Sequence, residues 1–225
     1  MDKQLHTNTV ELLGYYGDDE THACSAWTST SRNLTEEKRA RIPALLKQLA
    51  DNGHHTPFEK SSLHFLVNCD LSSHIHLLKH RISVSINGES ARYKELKEDK
   101  YYLPQDWADI KQSDDEYPEL QETWANRLEE YTQLGNKLYH ECLKDLEPVL
   151  GRKRAKESAR FFKTYNSQIQ ADIMFNFRSF AHFQKLRNSP DAQKEIREIA
   201  QQMLELVKNI ESGPFKNTLA AFELV

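Results

Sequence analysis

Two segments in the first half of the chain alternate apolar with polar side chains, which is the pattern of a half-buried β-strand. One face of the first segment carries Leu63, Phe65, Val67 and Cys69. One face of the second carries Ile82, Val84 and Ile86. A further strand is predicted over 9–16, where an apolar stretch ends at Gly17. A short helix is predicted from Ser72 to about Lys79.

Other segments repeat apolar residues every three or four positions, as amphipathic helices do. Thr35 is placed to cap a helix that stops at Asn52-Gly53. The apolar spacing over 120–146 predicts a helix about 40 Å long, at about 1.5 Å per residue. A charged connection bounded by prolines, from about 95 to 118, precedes this helix and is either mobile or functional.

The last predicted helix begins at a Ser189 cap, has Pro190 at its first position and ends at Gly213-Pro214. The sequence contains no internal repeat and no clear linker. The pattern as a whole predicts one α+β domain, residues 1–225, rich in helix.

Composition narrows the class of protein. The chain of 225 residues has 30 basic and 34 acidic side chains and a formal net charge of −4, which excludes a generally basic nucleic-acid coat. Three cysteines without a CxxC pair predict a reduced, intracellular protein. The start of the chain is polar, and no run approaches the roughly 18 apolar residues of a membrane span. A cytoplasmic protein without a membrane partner is therefore expected.

Two groups of polar side chains have no evident role in packing. The first group occupies 54–59, 79–81 and 87–93, where histidines and cationic residues are followed by small hydroxyl and amide residues. Such donors suit an anionic, hydrogen-bonding ligand such as a nucleotide. The alternative is a solvated strand end, since exposed charges usually contribute little.

The second group is Arg160 and a polar stripe further along the chain. The stripe consists of Asn176, Arg178, Ser179, His182 and Arg187. Spacings of three and four residues predict one helical face, with Ile173, Phe177 and Phe180 on the opposite side. The stripe suits a phosphate-rich cofactor, or it is the exposed face of a helix.

Other chemistries fit less well. His76 and His80 are four residues apart, but without HExxH, a carboxylate at ligand spacing or a cysteine pair no metal site is predicted. The basic run 152–156 is interspersed with acidic residues, which favours a solvated helix face over nucleic-acid binding. The chain has no GxGxxG, Walker A or GxSxG sequence, so a Rossmann or P-loop enzyme is unsupported.

In order and spacing, these groups resemble the motifs of the flavin-dependent thymidylate synthases. The hallmark of that family is Arg-His-Arg, seven residues and Ser, followed by Arg-Tyr. This chain has Lys79-His80-Arg81 and Ser90-Ala91-Arg92-Tyr93. Glu157-Ser158-Ala159-Arg160 is similar to the family's Glu-x-Ala-Arg. Asn176-Phe177-Arg178-Ser179 and Leu186-Arg187 are similar to its Asn-x-Arg-Ser and Leu-Arg.

The resemblance implies a fold and a reaction. The implied fold is a small, mostly antiparallel sheet packed with long helices, in a homotetramer whose sites are shared between subunits. The implied reaction methylates carbon 5 of the uracil in dUMP to give dTMP. Methylenetetrahydrofolate donates the carbon, and reducing equivalents pass from NADPH through FAD. No cysteine nucleophile is needed, which agrees with the ordinary settings of Cys24, Cys69 and Cys142.

The resemblance also assigns roles to single residues. Seven fall where the family contacts FAD: Thr56, Lys79, His80, Arg81, Asn176, Arg178 and His182. Five fall at nucleotide positions: His76, Ser90, Arg92, Arg160 and Arg187. Arg187 is expected to polarise the uracil, because a fixed guanidinium stabilises negative charge that develops on the ring. His54 is expected near the reacting edge of the flavin, and Arg92 and Arg160 are expected to hold the phosphate.

Departures from the family pattern leave the substrate open. Lys79 replaces an Arg, and Gly88 stands where Glu is common. His76 and His182 replace Gln and Asn. The hallmark contains eight intervening residues instead of seven, which predicts a β-bulge over 82–87. The alternatives are a flavoenzyme of the same fold that adds a methyl or hydroxymethyl group to UMP or dCMP, and a nucleotide-binding protein without catalysis.

Overall fold

The computed structural model of the chain describes residues 7–113 and 122–225. Its strands are β1 (Thr9–Tyr16), β2 (Ser62–Asp70), β3 (Val84–Gly88) and β4 (Gln168–Phe175). They form a four-stranded antiparallel sheet in the order β1-β2-β4-β3. The helices are α1 (Asp19–Trp27), α2 (Glu36–Asp51), α3 (Leu71–Leu77), α4 (Trp124–Leu150), α5 (Arg152–Ala159), α6 (Phe177–Arg187), α7 (Lys194–Lys208) and α8 (Lys216–Ala221). The predicted α+β class is confirmed.

Contacts along the chain separate two compact units. The first unit consists of the described residues of Met1–Asn8, Asn68–Ile75 and Gly88–Gln170. The second unit consists of Thr9–Val67, His76–Asn87 and Ala171–Val225. The single domain expected from the sequence stays a prediction.

An aromatic core holds the second unit together. Leu63, Phe65 and Val67 on the inner face of β2 are completely buried, as their alternation predicts. The ring of Phe65 stacks on Phe180 of α6 with 6.0 Å between centroids, and Phe175 of β4 packs edge-on against the same two rings. Burying one such side chain contributes about 1.5–3 kcal/mol, so this core fixes α6 against the sheet.

The first unit has a core between α4 and α5. Tyr139, Leu143, Ala155 and Ala159 form a buried cluster. The ammonium of Lys163 lies 4.5 Å from the centre of the Tyr139 ring. That ammonium also donates to Asp99 at 2.6 Å and to Asn136 at 2.8 Å. Burial lowers the pKa of Lys163, and the contact with Asp99 partly offsets the effect.

Local sequence signals set the boundaries of α2 as predicted. The hydroxyl of Thr35 accepts a hydrogen bond from the N–H of Lys38 and caps α2, and Gly53 follows that helix with φ of +70°. Thr123, which was not predicted as a cap, begins α4 in the same way and accepts from the N–H of Asn126. The predicted start of this helix at Leu120 lies outside the described residues.

Three predictions about the last helix and Ile173 are wrong. Helix α7 begins at Lys194, not at Ser189, because the Ser189 hydroxyl accepts from the N–H of Asp191 and forms a local turn instead of a cap. The helix ends at Lys208, before the predicted end at Gly213-Pro214, and Asn209 is its C-cap. Ile173 belongs to β4, not to a helical face. The pairing of β4 with its neighbours in the sheet decides the position of Ile173, because α6 begins only after Asn176.

The β-bulge predicted over 82–87 is not found within β3, which begins only at Val84 and ends at Gly88. Ile82 is 87% exposed and precedes β3. Ser83 has φ of +55°, and the strand then runs without interruption from Val84. In the first unit, the charged connection carries a 3-10 turn at Gln105–Trp107. Its final residues, 114–118, lie outside the described residues.

A substitution at Gly135 in α4 tests the packing of the first unit. A Cβ at this position would lie 2.6 Å from the carbonyl oxygen of Phe162. We expect Gly135→Ala to lower the free energy of unfolding by about 1–3 kcal/mol, measured by urea denaturation, because the backbone must move. Gly14→Ala is the matched control, since its Cβ would meet nothing within 4 Å. A Gly135→Ala variant as stable as the parent chain contradicts this close approach.

Candidate active site

A cleft of about 960 Å³ opens in the second unit. Six residues predicted from the sequence line it together: Lys79, His80, Arg81, Arg178, His182 and Arg187. They come from two segments about a hundred positions apart in the chain. The volume lies within the range of small-molecule sites, roughly 300–1,000 Å³.

The aromatic core sets which side of α6 lines the cleft. Phe177, Phe180 and Phe183 on one side of the helix are completely buried. Arg178 and His182, one turn apart, lie on the other side. The side-chain oxygen of Asn176 accepts from the N–H of Ser179 at 2.9 Å and caps the helix, so this predicted cofactor residue already has a structural contact.

Ser179 connects α6 to the other wall of the cleft. Its hydroxyl donates to the carbonyl of Ile82 at 2.8 Å, which holds the turn between Arg81 and β3. Ser179 lines the cleft and belongs to the predicted polar stripe, although no individual role was assigned to it. The Asn-x-Arg-Ser motif was the signal that could have identified it.

Arg187 and His80 form the central contact of the site. The Nε–H of Arg187 donates to Nε2 of His80 at 3.0 Å. Burial, followed by the charges of Arg187, His182 and His76, lowers the pKa of His80 to about 4. The imidazole is therefore neutral at pH 7 and accepts the hydrogen bond. This contact orients the guanidinium and leaves its terminal nitrogens without a partner within the described part of the chain.

Five lysine and arginine side chains line the cleft, against the three carboxylates of Asp51, Glu59 and Glu223. Arg178 is paired with Glu59 at 2.6 Å. Lys79, Arg81 and Lys185 line the same cleft and form no ion pair with any described residue. Clustered cations of this kind favour an anionic ligand, above all one with phosphate groups. Lys185 was not predicted, because a single lysine on a helix carries no distinctive pattern.

The remaining predicted residues of the second unit lie outside the cleft lining. His54 and Thr56 are exposed, and the neighbouring His55 lines the cleft instead. His55 is held by a contact of 3.2 Å between its Nε2 and the carbonyl of Ala50. His76 is half-buried, and its carbonyl accepts from the N–H of Lys79. The roles assigned to His54, Thr56 and His76 stay predictions.

Three predicted nucleotide residues belong to the first unit. The Nε of Arg92 lies 2.7 Å from a carboxylate oxygen of Glu157 in α5. The Ser90 hydroxyl accepts from the N–H of Arg92 at 3.3 Å. Arg160 is exposed, and its guanidinium has no ion-pair partner among residues 7–113 and 122–225. Their roles also stay predictions.

The cysteines are not part of the cleft lining. Cys24, Cys69 and Cys142 are free thiols, and none of them lines the cleft. Burial raises the pKa of the Cys69 thiol, which suppresses the nucleophilic thiolate. Within the described residues, no group of three or more histidine, cysteine and acidic side chains is placed to hold a metal. No described helix has the length and apolar character to span a membrane.

The fold and the cleft thus define an α+β protein with a cationic cleft, a charge that favours an anionic ligand. The sequence model of the Thy1 family, described as thymidylate synthase complementing protein, matches residues 11–211. The flavin-dependent thymidylate synthase of Pseudothermotoga lettingae is 30% identical over 211 residues, 92% of this chain and 87% of that protein. That of Gluconobacter oxydans is 29% identical over 217 residues, 95% of this chain and 69% of that protein. The chain therefore belongs to the flavin-dependent thymidylate synthase family, as its motifs predicted.

A solved structure shows the same fold. The crystal structure of the UMP/dUMP methylase PolB from Streptomyces cacaoi, bound with 5-Br dUMP, superposes with a TM-score of 0.75. The alignment covers 97% of this chain and 95% of that one at 24% sequence identity. At this identity the comparison establishes the architecture of the chain.

The neutral state of His80 can be measured directly. We expect its imidazole to titrate near pH 4 in an NMR titration, with the resonance assigned through a His80→Gln variant. Because the folded pKa lies below the ordinary value of 6.5, the stability associated with the neutral ring is present above pH 6.5 and is lost as the pH falls through about 4. A His80 resonance that titrates near pH 6.5 contradicts the contact with Arg187.

Proposed function

We propose that this chain catalyses the reductive methylation of dUMP to dTMP, with FAD as cofactor and NADPH and 5,10-methylenetetrahydrofolate as co-substrates. One observation carries the proposal, namely the cleft in which residues of both motif groups meet, from Lys79 to Arg187. Family membership supports it, since the relatives from P. lettingae and G. oxydans are named for flavin-dependent thymidylate synthesis.

The donors of the cleft fit a dinucleotide cofactor. Lys79, Arg81 and Lys185 offer cationic groups for a diphosphate. Lys79 does so as a point charge, where the family pattern has the planar fork of an arginine. His182 adds a ring on the same wall. Bound FAD would supply the reducing equivalents, while the protein supplies orientation and electrostatics.

Arg187 is the residue proposed to activate the uracil. Its Nε–H is engaged by His80, so the side chain is held in one orientation before the substrate binds. The terminal N–H groups then stabilise the negative charge that develops on the pyrimidine carbonyl, at little reorganisation cost. No cysteine attacks the ring in this scheme.

The phosphate of the nucleotide is proposed to bind Arg160, with Ser90 and Arg92 contributing from the hallmark motif. Arg160 has no competing carboxylate among the described residues, whereas Arg92 is already paired with Glu157. A homotetramer in the cytoplasm is part of the proposal. Exposed apolar residues on and after α4, such as Tyr131, Leu134 and Phe161, support an oligomer, which sedimentation equilibrium measures.

A second substrate is favoured by a specific observation. His76 and Gly88 depart from the family pattern at nucleotide positions, and a Cβ added at Gly88 would lie 3.3 Å from the His74 ring, which disfavours the larger side chain common there. PolB, which shares the fold, is described as a UMP/dUMP methylase and is known bound with 5-Br dUMP and with 5-Br UMP. Methylation of UMP is therefore the alternative, with dCMP as a third substrate to test.

A product assay separates these substrates. We expect dTMP when the purified chain receives dUMP, FAD, methylenetetrahydrofolate and NADPH, with chromatography as the readout. Parallel reactions with UMP and dCMP serve as comparisons. A methylated product from UMP alone replaces the first proposal with the second. A colourless protein that takes up no FAD and yields no product from any of the three overturns both.

Arg187→Ala tests the proposed activation of the uracil. We expect turnover to fall by about 10²–10³-fold, as for the loss of one donor to a developing oxyanion, while FAD remains bound. Arg187→Lys should recover only part of the rate, since it keeps the charge without the fork. Arg127→Ala, which removes an exposed guanidinium of the first unit, is the matched control and should leave turnover unchanged. Near-normal turnover in Arg187→Ala contradicts the assignment.

A further inference from the structure

The residues that follow α8 form one wall of the cleft. Phe222 and Leu224 line it beside Ala50 of α2 and His55. This segment lies beyond residues 11–211, the stretch that matches the family sequence model. The motifs that identified the rest of the site therefore say nothing about this wall.

The start of α8 is firmly held within the second unit. The carboxylate of Asp19 accepts the N–H groups of Asn217 and Thr218, both at 2.8 Å. The hydroxyl of Thr218 donates to the same carboxylate at 2.6 Å, and Nδ1 of His22 lies 2.9 Å from that hydroxyl. Asp19, His22 and Thr218 are all buried, so these contacts are shielded from water.

The end of α8 is fixed by its backbone. The N–H of Leu224 donates to the carbonyl of Leu219 at 2.9 Å, and that of Glu223 to Ala220 at 3.1 Å. Glu223 has φ of +59°. These features define a Schellman motif, in which the residue after the cap adopts a left-handed conformation. The motif determines where Phe222 and Leu224 lie along the cleft wall.

Three rings pack against Phe222. Its ring packs edge-on against Phe58, with 4.8 Å between centroids and 76° between planes. The His55 ring lies 5.3 Å away and the Phe177 ring 6.0 Å away. Phe222 itself stays half-buried and belongs to the cleft lining. A supported aromatic ring with a free surface is suited to contact another planar ring.

The cleft therefore combines two kinds of surface. One part is cationic, with Lys79, Arg81 and Lys185. Another part carries the aromatic and apolar side chains of Phe222 and Leu224, and the carboxylates of Asp51 and Glu223 line the cleft as well. A ligand that joins a phosphate group to a planar heteroaromatic ring matches both surfaces.

We infer that Phe222 provides the aromatic contact for one planar ring of the bound dinucleotide, with Leu224 beside it. The inference rests on the proposed function, which supplies the dinucleotide. Phe222 acts here as a binding residue, placed by the contacts of Asp19 and by the Schellman motif. The two rings of FAD, isoalloxazine and adenine, share the required chemistry, and the experiment distinguishes them.

The test measures the binding of FAD to full-length variants through the quenching of flavin fluorescence. Phe222→Leu keeps apolar volume but removes the ring, and Phe222→Tyr keeps the ring. We expect Phe222→Leu to weaken FAD binding about tenfold to a hundredfold, which corresponds to the loss of one stacking contact. Phe222→Tyr should bind within about threefold of the parent chain. Val225→Ala changes a residue that is 82% exposed and should bind as the parent does.

FMN and ADP, measured separately by calorimetry, identify the ring. If Phe222→Leu weakens FMN but not ADP, the ring is the isoalloxazine, and the reverse result assigns the adenine. Equal FAD affinity in the parent chain, Phe222→Leu and Phe222→Tyr overturns the inference and leaves the proposed function intact. A parent chain that binds no FAD overturns both. Thermal unfolding of each variant shows whether a loss of binding reflects a loss of fold.

Discussion

The candidate site depends on the burial of one face of α6 against the sheet. Phe177, Phe180 and Phe183 are completely buried, and Phe180 stacks on Phe65 of β2. A helix whose apolar face is fixed has no freedom to rotate, because rotation would expose these rings to water. Arg178 and His182 lie on the other face for this reason. The chemistry of the cleft is thus positioned by apolar packing.

Concentrated positive charge in a small cleft is unfavourable unless some of it is neutralised. Arg178 is neutralised by Glu59, and His80 remains uncharged, since its pKa is lowered to about 4. A charged His80 beside Arg187 would repel it, whereas the neutral ring accepts its hydrogen bond. Lys79, Arg81 and Lys185 remain unpaired among the described residues, and a phosphate-bearing ligand would complete their neutralisation. The net charge of −4 for the whole chain conceals this local excess.

Sequence patterns identified the elements whose signals are local. Thr35 caps its helix, as predicted, through a hydrogen bond from the residue three positions on, which depends on nothing distant. The alternation in β2 correctly predicted its buried face. Ser189 shows the weakness of such signals, because its hydroxyl had a nearer partner in Asp191. The short helices α1 and α8 carry too few residues for a periodic pattern, and their stability comes from tertiary packing.

The sequence by itself determined the family, the helix-rich α+β class and six of the residues that line the cleft. Motif spacing and apolar periodicity can be read from the order of the residues alone. Only the tertiary structure decided that His55 lines the cleft while His54 does not, since neighbouring residues in a turn face different directions. It also decided that Phe222 shares the cleft with His80, although the two residues are 142 positions apart in the chain. That proximity follows from hydrogen bonds between Asp19 and α8, a pairing of distant residues that no local pattern encodes.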